Sequence, residues 1–370
     1  MRGARVGCGE ALVVAGVIAG ERIRALAGGA VPGIAVLVTG PEGVRAAGAA
    51  GFADVAGQVP ASPGMVCPWF SMTKIVTATV AVRLAERGVV DLDAPVAGHV
   101  PALRQVRPPQ WADRITARHL LSHSAGLANP IPVRWVHPAD QPAPDPGAFL
   151  HGLLARHGRL RFEPGARSSY SNLDPLVLAA ALATATGKSF TELVGDEILG
   201  PLGMAATAFT YTPQARPRAA VGYHRRLSPM RLLLPRWVIG EPAGRWISLR
   251  PFLVDGPAYG GLVGPADELA RFLQLHLRDG ELGGNRILSA EATAAMRRIT
   301  VRGRRYDLGL GWFRPASQRD ADPPFVEHLG GGAGFYNLIR IYPTRGTGIA
   351  VMGNVTKYHI DAVARLALAD

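Results

Sequence analysis

The sequence predicts an α/β protein in which helices cover a β-sheet. Two apolar runs typical of buried strands, residues 33–38 and 48–55, flank the turn Pro41-Glu42-Gly43 near the start of the chain. Three strand patterns separated by glycines lie near the other end: residues 309–313, 335–342 and 348–352. Between these two groups, the best helical patterns are residues 71–88, 175–186 and 266–277. We expect a further short helix at 116–121 and a closing helix at 360–368.

The composition indicates a folded protein with a large core. The chain has 370 residues, of which 48% are hydrophobic and 18% charged, and this excludes a disordered protein. A chain of this length forms one large domain or two intimate ones. No metal-binding pattern of cysteines is present, and whether Cys8 and Cys67 pair stays open.

The net charge of +12 suggests nucleic-acid binding, but the distribution of the basic residues argues against it. The arginines are scattered, the aromatic residues do not alternate with basic clusters, and no nucleic-acid-binding motif occurs. We expect no nucleic-acid partner. A basic surface that attracts anionic substrates or lipid headgroups accounts for the charge.

The amino terminus allows two interpretations. The apolar run of residues 11–20 has the length of a signal-peptide core, yet Glu10, Glu21 and Arg22 bracket it closely. The apolar residues Leu12, Val13, Val17, Ile23 and Leu26 fit a helical stripe that starts in this run and continues beyond it. We favour an amphipathic first helix of a soluble protein, with a cytoplasmic location preferred over an exported one.

The four residues Ser71-Met72-Thr73-Lys74 combine a nucleophile with a proton acceptor at the start of the helix predicted for residues 71–88. A spacing of three places both side chains on one helical face. The alternative is a serine cap followed by a solvated lysine. Only Lys74, Lys188 and Lys357 are lysines, whereas 37 residues are arginines. Arginine cannot lose its proton, but a desolvated lysine can. The position of Lys74 therefore favours a proton acceptor over a solvated lysine.

Two other polar groups are candidates for the same site. Tyr170 and Asn172 precede the helix of residues 175–186, where a packed aromatic ring and a helix cap are equally good interpretations. His328 precedes Gly330 and Gly331 in a glycine-rich segment that is either a simple loop or a close approach to a ligand.

His119 and His123 lie four residues apart, as some metal ligands do. Without a third ligand we interpret both as structural, with His123 forming hydrogen bonds in a tight turn, and we expect no metal and no cofactor. Residues 129–147 contain six prolines and predict a long loop.

Residues 225–246 combine arginines with an apolar run and two tryptophans, while prolines exclude one regular helix. A flap over the substrate cleft and a peripheral membrane contact are both compatible with this composition.

Taken together in this order, Ser71-x-x-Lys74, Tyr170-x-Asn172 and His328-x-Gly330 resemble the serine β-lactamase and penicillin-binding-protein family. The similarity is greatest to class C β-lactamases and to related esterases and D-aminopeptidases. It extends from about Pro32 to Asn354.

This resemblance implies roles for the matched residues. Ser71 would be acylated, Lys74 would help to take its proton, and Tyr170 would act as phenolate or through a proton shared with Lys74. We expect mutual proximity and burial to move the pKa values of Lys74 and Tyr170 toward neutrality. Asn172 would bind substrate and orient Lys74, and the amides of Ser71 and Gly331 would form the oxyanion hole.

His328 stands where many members of the family have the lysine of Lys-Thr-Gly. A lysine there binds a substrate carboxylate, whereas histidine is neutral over much of the physiological range. The resemblance, with this departure, implies a serine hydrolase of esters or amides rather than an efficient β-lactamase. The alternatives are a penicillin-recognising protein that deacylates slowly and a non-catalytic member of the family.

The resemblance also implies a fold and a class of substrate. A central antiparallel sheet flanked by helices would comprise residues 1–74 and 255–370, with a mostly helical domain of residues 75–254 inserted and the site at their junction. The substrate would be a small molecule or a peptide-like compound.

Overall fold

The computed structural model of the protein describes residues 16–28, 31–228 and 232–369. In chain order its strands are β1 (Gly16–Val17), β2 (Gly33–Thr39), β3 (Val44–Asp54), β4 (Val59–Pro60), β5 (Val66–Pro68), β6 (Val136–Pro138), β7 (Tyr223–Arg225), β8 (Ile239–Ala243), β9 (Trp246–Leu249), β10 (Phe252–Val254), β11 (Val263–Pro265), β12 (Glu281–Leu282), β13 (Asn285–Arg286), β14 (Tyr306–Leu308), β15 (Phe313–Pro315), β16 (Val326–Gly332), β17 (Phe335–Tyr342) and β18 (Thr347–Gly353). Its α-helices are α1 (Gly20–Leu26), α2 (Thr73–Glu86), α3 (Pro109–Ala112), α4 (Ala117–Leu121), α5 (Pro146–His157), α6 (Leu173–Thr186), α7 (Phe190–Val194), α8 (Pro257–Gly260), α9 (Ala266–Leu277), α10 (Ala290–Arg297) and α11 (Ile360–Ala364).

A large, mostly antiparallel sheet joins the two ends of the chain. Its strand order is β1-β3-β2-β18-β17-β16-β15-β14, with β4 paired to β3. Only the pair β1–β3 is parallel among the described strands of this sheet. The ends meet where β2 pairs with β18, with Val36 opposite Val351. The predicted fold class, a helix-flanked antiparallel sheet, is therefore confirmed.

The central strands are apolar throughout because helices cover both faces of the sheet. Ala35 and Leu37 of β2 contribute to the core that contains α2 and α9, whereas Ile34 and Val36 contribute to a second core with α1 and α11. Successive side chains of a strand point to opposite faces, so a strand buried on both faces loses the usual polar alternation.

The segment between the two sets of sheet strands is rich in helices. Helix α2 packs against α6, α7 and α8, and its residues from Thr73 to Val82 are all buried. A small sheet of order β7-β9-β8 follows in this segment. The division into residues 1–74 with 255–370 and residues 75–254 stays a proposal.

Several predicted elements change their bounds. The strand predicted at residues 309–313 is wrong except at its last residue, because residues 309–312 form the turn between β14 and β15 and Phe313 begins β15. The glycine-rich segment after Val326 forms strand β16. Its glycines are weak strand formers, so the sequence pattern did not predict a strand there. The short strand β6 lies within the long loop predicted for residues 129–147. The closing helix ends in a 3₁₀ turn at Arg365–Leu368.

The predicted amphipathic first helix is shorter at its start than expected, because Val17 lies in strand β1 and α1 begins at Gly20. Cys8 and Glu10 lie outside the described residues. Cys67 is a buried free thiol. In the part of the chain that the structure describes, no helix is long and apolar enough to cross a bilayer.

Candidate active site

Ser71 lies on a tight turn that leads directly into the buried helix α2. A 3₁₀ turn spans Phe70–Met72, and Phe70 adopts a positive φ of 48°, which is unfavourable for an aromatic residue. Such backbone strain persists only where the surroundings enforce it. The turn leaves Ser71 partly exposed while its neighbours Phe70 and Met72 are buried.

The amine of Lys74 has three partners. Its Nζ lies 3.0 Å from Ser71 Oγ, 2.9 Å from Asn172 Oδ1 and 2.7 Å from the backbone oxygen of Tyr259. The two carbonyl oxygens can only accept hydrogen bonds. Once the amine is neutral, its two N–H groups satisfy these oxygens and its lone pair is left for the hydroxyl of Ser71.

Burial favours this neutral form of Lys74. Desolvation lowers the pKa of the Lys74 amine well below its ordinary value, and the nearby carboxyl of Asp174 opposes this effect. The lysine side chain is only 4% exposed. The expected fall in the pKa of Lys74 therefore agrees with its environment, and in its neutral form the amine can take a proton from Ser71.

The expectation for the pKa of Tyr170 was wrong. Burial raises the pKa of the Tyr170 phenol, and an interaction with Ser71 offsets only part of the rise. Lys74 Nζ lies over the ring face, 5.0 Å from the ring centroid. An ammonium would favour phenolate, but the buried amine is itself driven toward neutrality, so desolvation dominates and Tyr170 remains a phenol.

Asn172 precedes helix α6 but does not cap it with its side chain. Its Oδ1 accepts from Lys74 instead, and its backbone N–H donates to Asn129 Oδ1 at 3.0 Å. The interpretation of Asn172 as a helix cap is therefore replaced by a contact with Lys74.

Sequence reasoning missed Asp174, which forms a buried pair with His123. His123 Nδ1 lies 2.6 Å from Asp174 Oδ2, and the imidazole packs on the ring of Tyr170 with centroids 4.5 Å apart. Burial lowers the pKa of His123 and raises that of Asp174 well above its ordinary range. These directions fit an uncharged pair in which the acid donates to Nδ1. An acidic residue inside an otherwise apolar helix was the signal available in the sequence.

Strand β16 packs directly on the turn that carries Ser71. A Cβ atom on Gly330 would lie 2.0 Å from the backbone oxygen of Trp69, and one on Gly332 would lie 2.4 Å from the ring of Phe70. Only glycine permits this approach. Gly330 is buried against the turn, whereas Gly331 is exposed.

His328 is buried in an aromatic environment. Its Nδ1 donates to the backbone oxygen of Leu329 at 2.8 Å, and its ring packs against Phe313 with centroids 4.6 Å apart. Burial, helped by the charge of Lys74, lowers the pKa of His328 to about 3. The imidazole is therefore neutral at physiological pH and does not supply the positive charge of a lysine.

The site opens into a cavity of about 580 Å³ that Ser71, Tyr170 and His328 all line. The cavity is also lined by three arginines, Arg161, Arg304 and Arg305, and by no acidic residue. In the described part of the chain none of these three forms an ion pair. Sequence reasoning did not select them, because nothing in a chain with 37 arginines distinguishes these three.

The structure does not bring His119 and His123 together as ligands. Nδ1 of His119 accepts from the Thr116 backbone N–H at the start of α4, whereas His123 binds Asp174. Among the described residues, no group of three or more histidine, cysteine, aspartate or glutamate side chains is arranged to hold a metal ion.

Comparisons with known proteins agree with this architecture. The chain is 27% identical over 290 residues to the D-alanyl-D-alanine-carboxypeptidase/endopeptidase AmpH of Escherichia coli (strain K12), covering 76% of this chain and 69% of AmpH. It superimposes on the octameric penicillin-binding protein homologue from Pyrococcus abyssi with a TM-score of 0.75, 24% identity and coverage of 94% of this chain and 74% of the homologue. A class C beta lactamase from Rhodobacter sphaeroides gives a TM-score of 0.69 at 22% identity, over 94% and 96% of the two chains. Residues 21–370 match the family described as Beta-lactamase. The chain belongs to the β-lactamase family of serine hydrolases and penicillin-binding proteins.

Proposed function

We propose that this protein is a serine hydrolase that cleaves an ester or an amide through an acyl-enzyme on Ser71. The supporting observation is the set of three partners around Lys74, of which only the hydroxyl of Ser71 can give a proton to the amine.

In the proposed reaction, Ser71 Oγ attacks the substrate carbonyl carbon while its proton passes to Lys74. The backbone N–H groups of Ser71 and Gly331 stabilise the oxyanion. When the tetrahedral intermediate collapses, the leaving group takes a proton through the phenol of Tyr170, which is reprotonated by Lys74. Water then attacks the acyl ester by the same route and regenerates Ser71.

The residues that line the cleft favour a substrate whose leaving group carries a carboxylate. His328 contributes no positive charge, but Arg161, Arg304 and Arg305 surround the space beside Tyr170 and have no carboxylate partner there. Arginine binds carboxylates with two parallel hydrogen bonds. The substrate class that fits is a small or peptide-like ester or amide with a carboxylate in its leaving group.

A substrate panel tests the proposal. Short and long acyl esters, D-amino-acid amides, a D-alanyl-D-alanine peptide and nitrocefin are incubated with wild type, Ser71→Ala and Lys74→Ala. We expect turnover of an ester or amide by wild type, none by Ser71→Ala, and a loss of roughly 100-fold to 10,000-fold in Lys74→Ala. A burst without turnover would indicate slow deacylation, and no reaction with any compound would indicate a non-catalytic member.

We also propose that the segment of residues 225–246 contacts anionic membranes peripherally. In this segment Leu227, Leu232 and Leu233 are 95%, 80% and 56% exposed, and Arg225 and Arg245 are exposed as well. Apolar side chains beside cationic ones are typical of interfacial segments. Co-sedimentation with phosphatidylserine vesicles should fall in the double variant Leu232→Asp, Leu233→Asp. Unchanged co-sedimentation would contradict this contact.

A further inference from the structure

A second cavity of about 580 Å³ lies beside the candidate active site. Its wall consists mainly of aromatic and aliphatic side chains: Tyr211, Val221, Trp237, Leu249, Phe252 and Phe335. The charged residues that line it, Asp140, Arg216 and Arg250, are exposed. The cavity is of the size that buries a small apolar ligand.

The tip of the β16–β17 hairpin separates this cavity from the Ser71 cleft. Consecutive residues of β17 face the two spaces, since Tyr336 lines the cleft and Phe335 lines the second cavity. A Cβ atom on Gly334 would lie 2.7 Å from Leu249 Cδ1 and 2.9 Å from Gly222 Cα, so the tip packs onto the cavity wall. From Gly330 to Gly334 the chain carries only the methyl group of Ala333.

The turn that carries the nucleophile also touches the cavity wall. The ring of Phe70 packs against Phe252 and Phe335, with centroid distances of 6.2 Å and 6.5 Å. Phe70 directly precedes Ser71. Phe70 therefore links the turn of Ser71 to the wall of the apolar cavity.

We propose that this second cavity binds the apolar acyl chain of the substrate, with the chain running from Ser71 over the tip at Gly331, Gly332 and Ala333. This inference rests on the proposed acyl-enzyme and assigns the acyl group to the apolar side and the leaving group to the arginine-lined side. The preferred substrate class is a medium-chain fatty acyl ester or amide, not an acetyl derivative.

Turnover of p-nitrophenyl acetate, butyrate and octanoate provides the test. In wild type, kcat/KM should rise by up to about fourfold per buried methylene. Val221→Trp, which fills the cavity, should lower kcat/KM for octanoate by at least about tenfold and leave acetate within about twofold. Val89→Trp, at a 40% exposed position after α2, should change neither ester. Octanoate no better than acetate in wild type, or an equal loss for both esters in Val221→Trp, would overturn the assignment.

A binding measurement separates this inference from the proposed function. Ser71→Ala protein is titrated calorimetrically with N-octanoyl and N-acetyl p-nitroanilide, which requires no turnover. The octanoyl compound should bind selectively to Ser71→Ala and more weakly to the double variant that also carries Ala219→Phe. This result supports acyl-chain binding in the cavity even if no ester is hydrolysed. Equal binding of both compounds, or an octanoyl affinity that Ala219→Phe leaves unchanged, overturns it whether or not Ser71 is catalytic.

Discussion

His123 and Asp174 form a buried pair, 2.6 Å apart, directly behind the ring of Tyr170. Neither residue lines the cleft. The imidazole packs against the Tyr170 ring, and the Asp174 carboxyl is hydrogen-bonded to the imidazole, so in the proposed reaction we expect the pair to position Tyr170.

The first prediction concerns this positioning. Asp174→Ala should lower kcat by roughly 10-fold to 100-fold with KM within about threefold, because Tyr170 loses its support and a buried partner is left without a hydrogen bond. Asp174→Asn should restore most of the rate, since an amide can replace an uncharged acid. Steady-state kinetics of the two variants provides the check. An asparagine variant as impaired as the alanine variant would show that negative charge, not geometry, is required.

A second prediction uses the contact between Asn172 Oδ1 and Lys74 Nζ, which are 2.9 Å apart. Asn172→Asp places a carboxylate beside the amine, favours its charged form and raises the pKa of Lys74. Because the neutral amine is the base, the ascending limb of the pH profile of kcat/KM should move to higher pH. Asn285→Asp, an exposed asparagine outside the cleft, is the control. A limb that stays in place or moves to lower pH would exclude Lys74 as the titrating base.

A third prediction concerns acid stability. His276 is fully buried between the rings of Phe272 and Trp312, neither ring nitrogen has a partner in the described chain, and burial lowers the pKa of His276 to about 3. Between pH 6.5 and about 3, His276 is protonated in the unfolded chain but not in the folded chain. The free energy of unfolding therefore falls as the pH falls through this window.

His276→Phe removes that proton and should make the decline shallower by up to about 1.4 kcal/mol per pH unit. Urea unfolding at several values between pH 6.5 and pH 4.5 measures the slope. An unchanged slope in a variant that remains folded would mean that the buried imidazole accepts a proton without difficulty.

The parts of the site that depend on residues close together in the chain could be predicted from the sequence. Ser71 and Lys74 are one helical turn apart, and that spacing places the two side chains within reach of each other, in agreement with the 3.0 Å contact in the structure. The order of Tyr170, Asn172 and His328 added the remaining candidates through resemblance to a family.

Long-range contacts were beyond the reach of the sequence. The Tyr259 carbonyl that accepts from Lys74 belongs to the backbone, which any residue type supplies, and it lies 185 positions away along the chain. The raised pKa of Tyr170 follows from burial that only the packed structure defines. Strand β16 packs on the Ser71 turn because Gly330 faces Trp69 and Gly332 faces Phe70. Glycine is a weak strand former, so the sequence did not predict a strand at these positions.

The central claim is that the hydroxyl of Ser71 becomes acylated, and intact-protein mass spectrometry after treatment with a fluorophosphonate tests it most directly. Wild type should gain the mass of one adduct, and digestion should locate it on the peptide that contains Ser71. Ser71→Ala, folded to the same extent by circular dichroism, should remain unmodified. An adduct that persists in Ser71→Ala, or one located on another residue of wild type, would contradict the account.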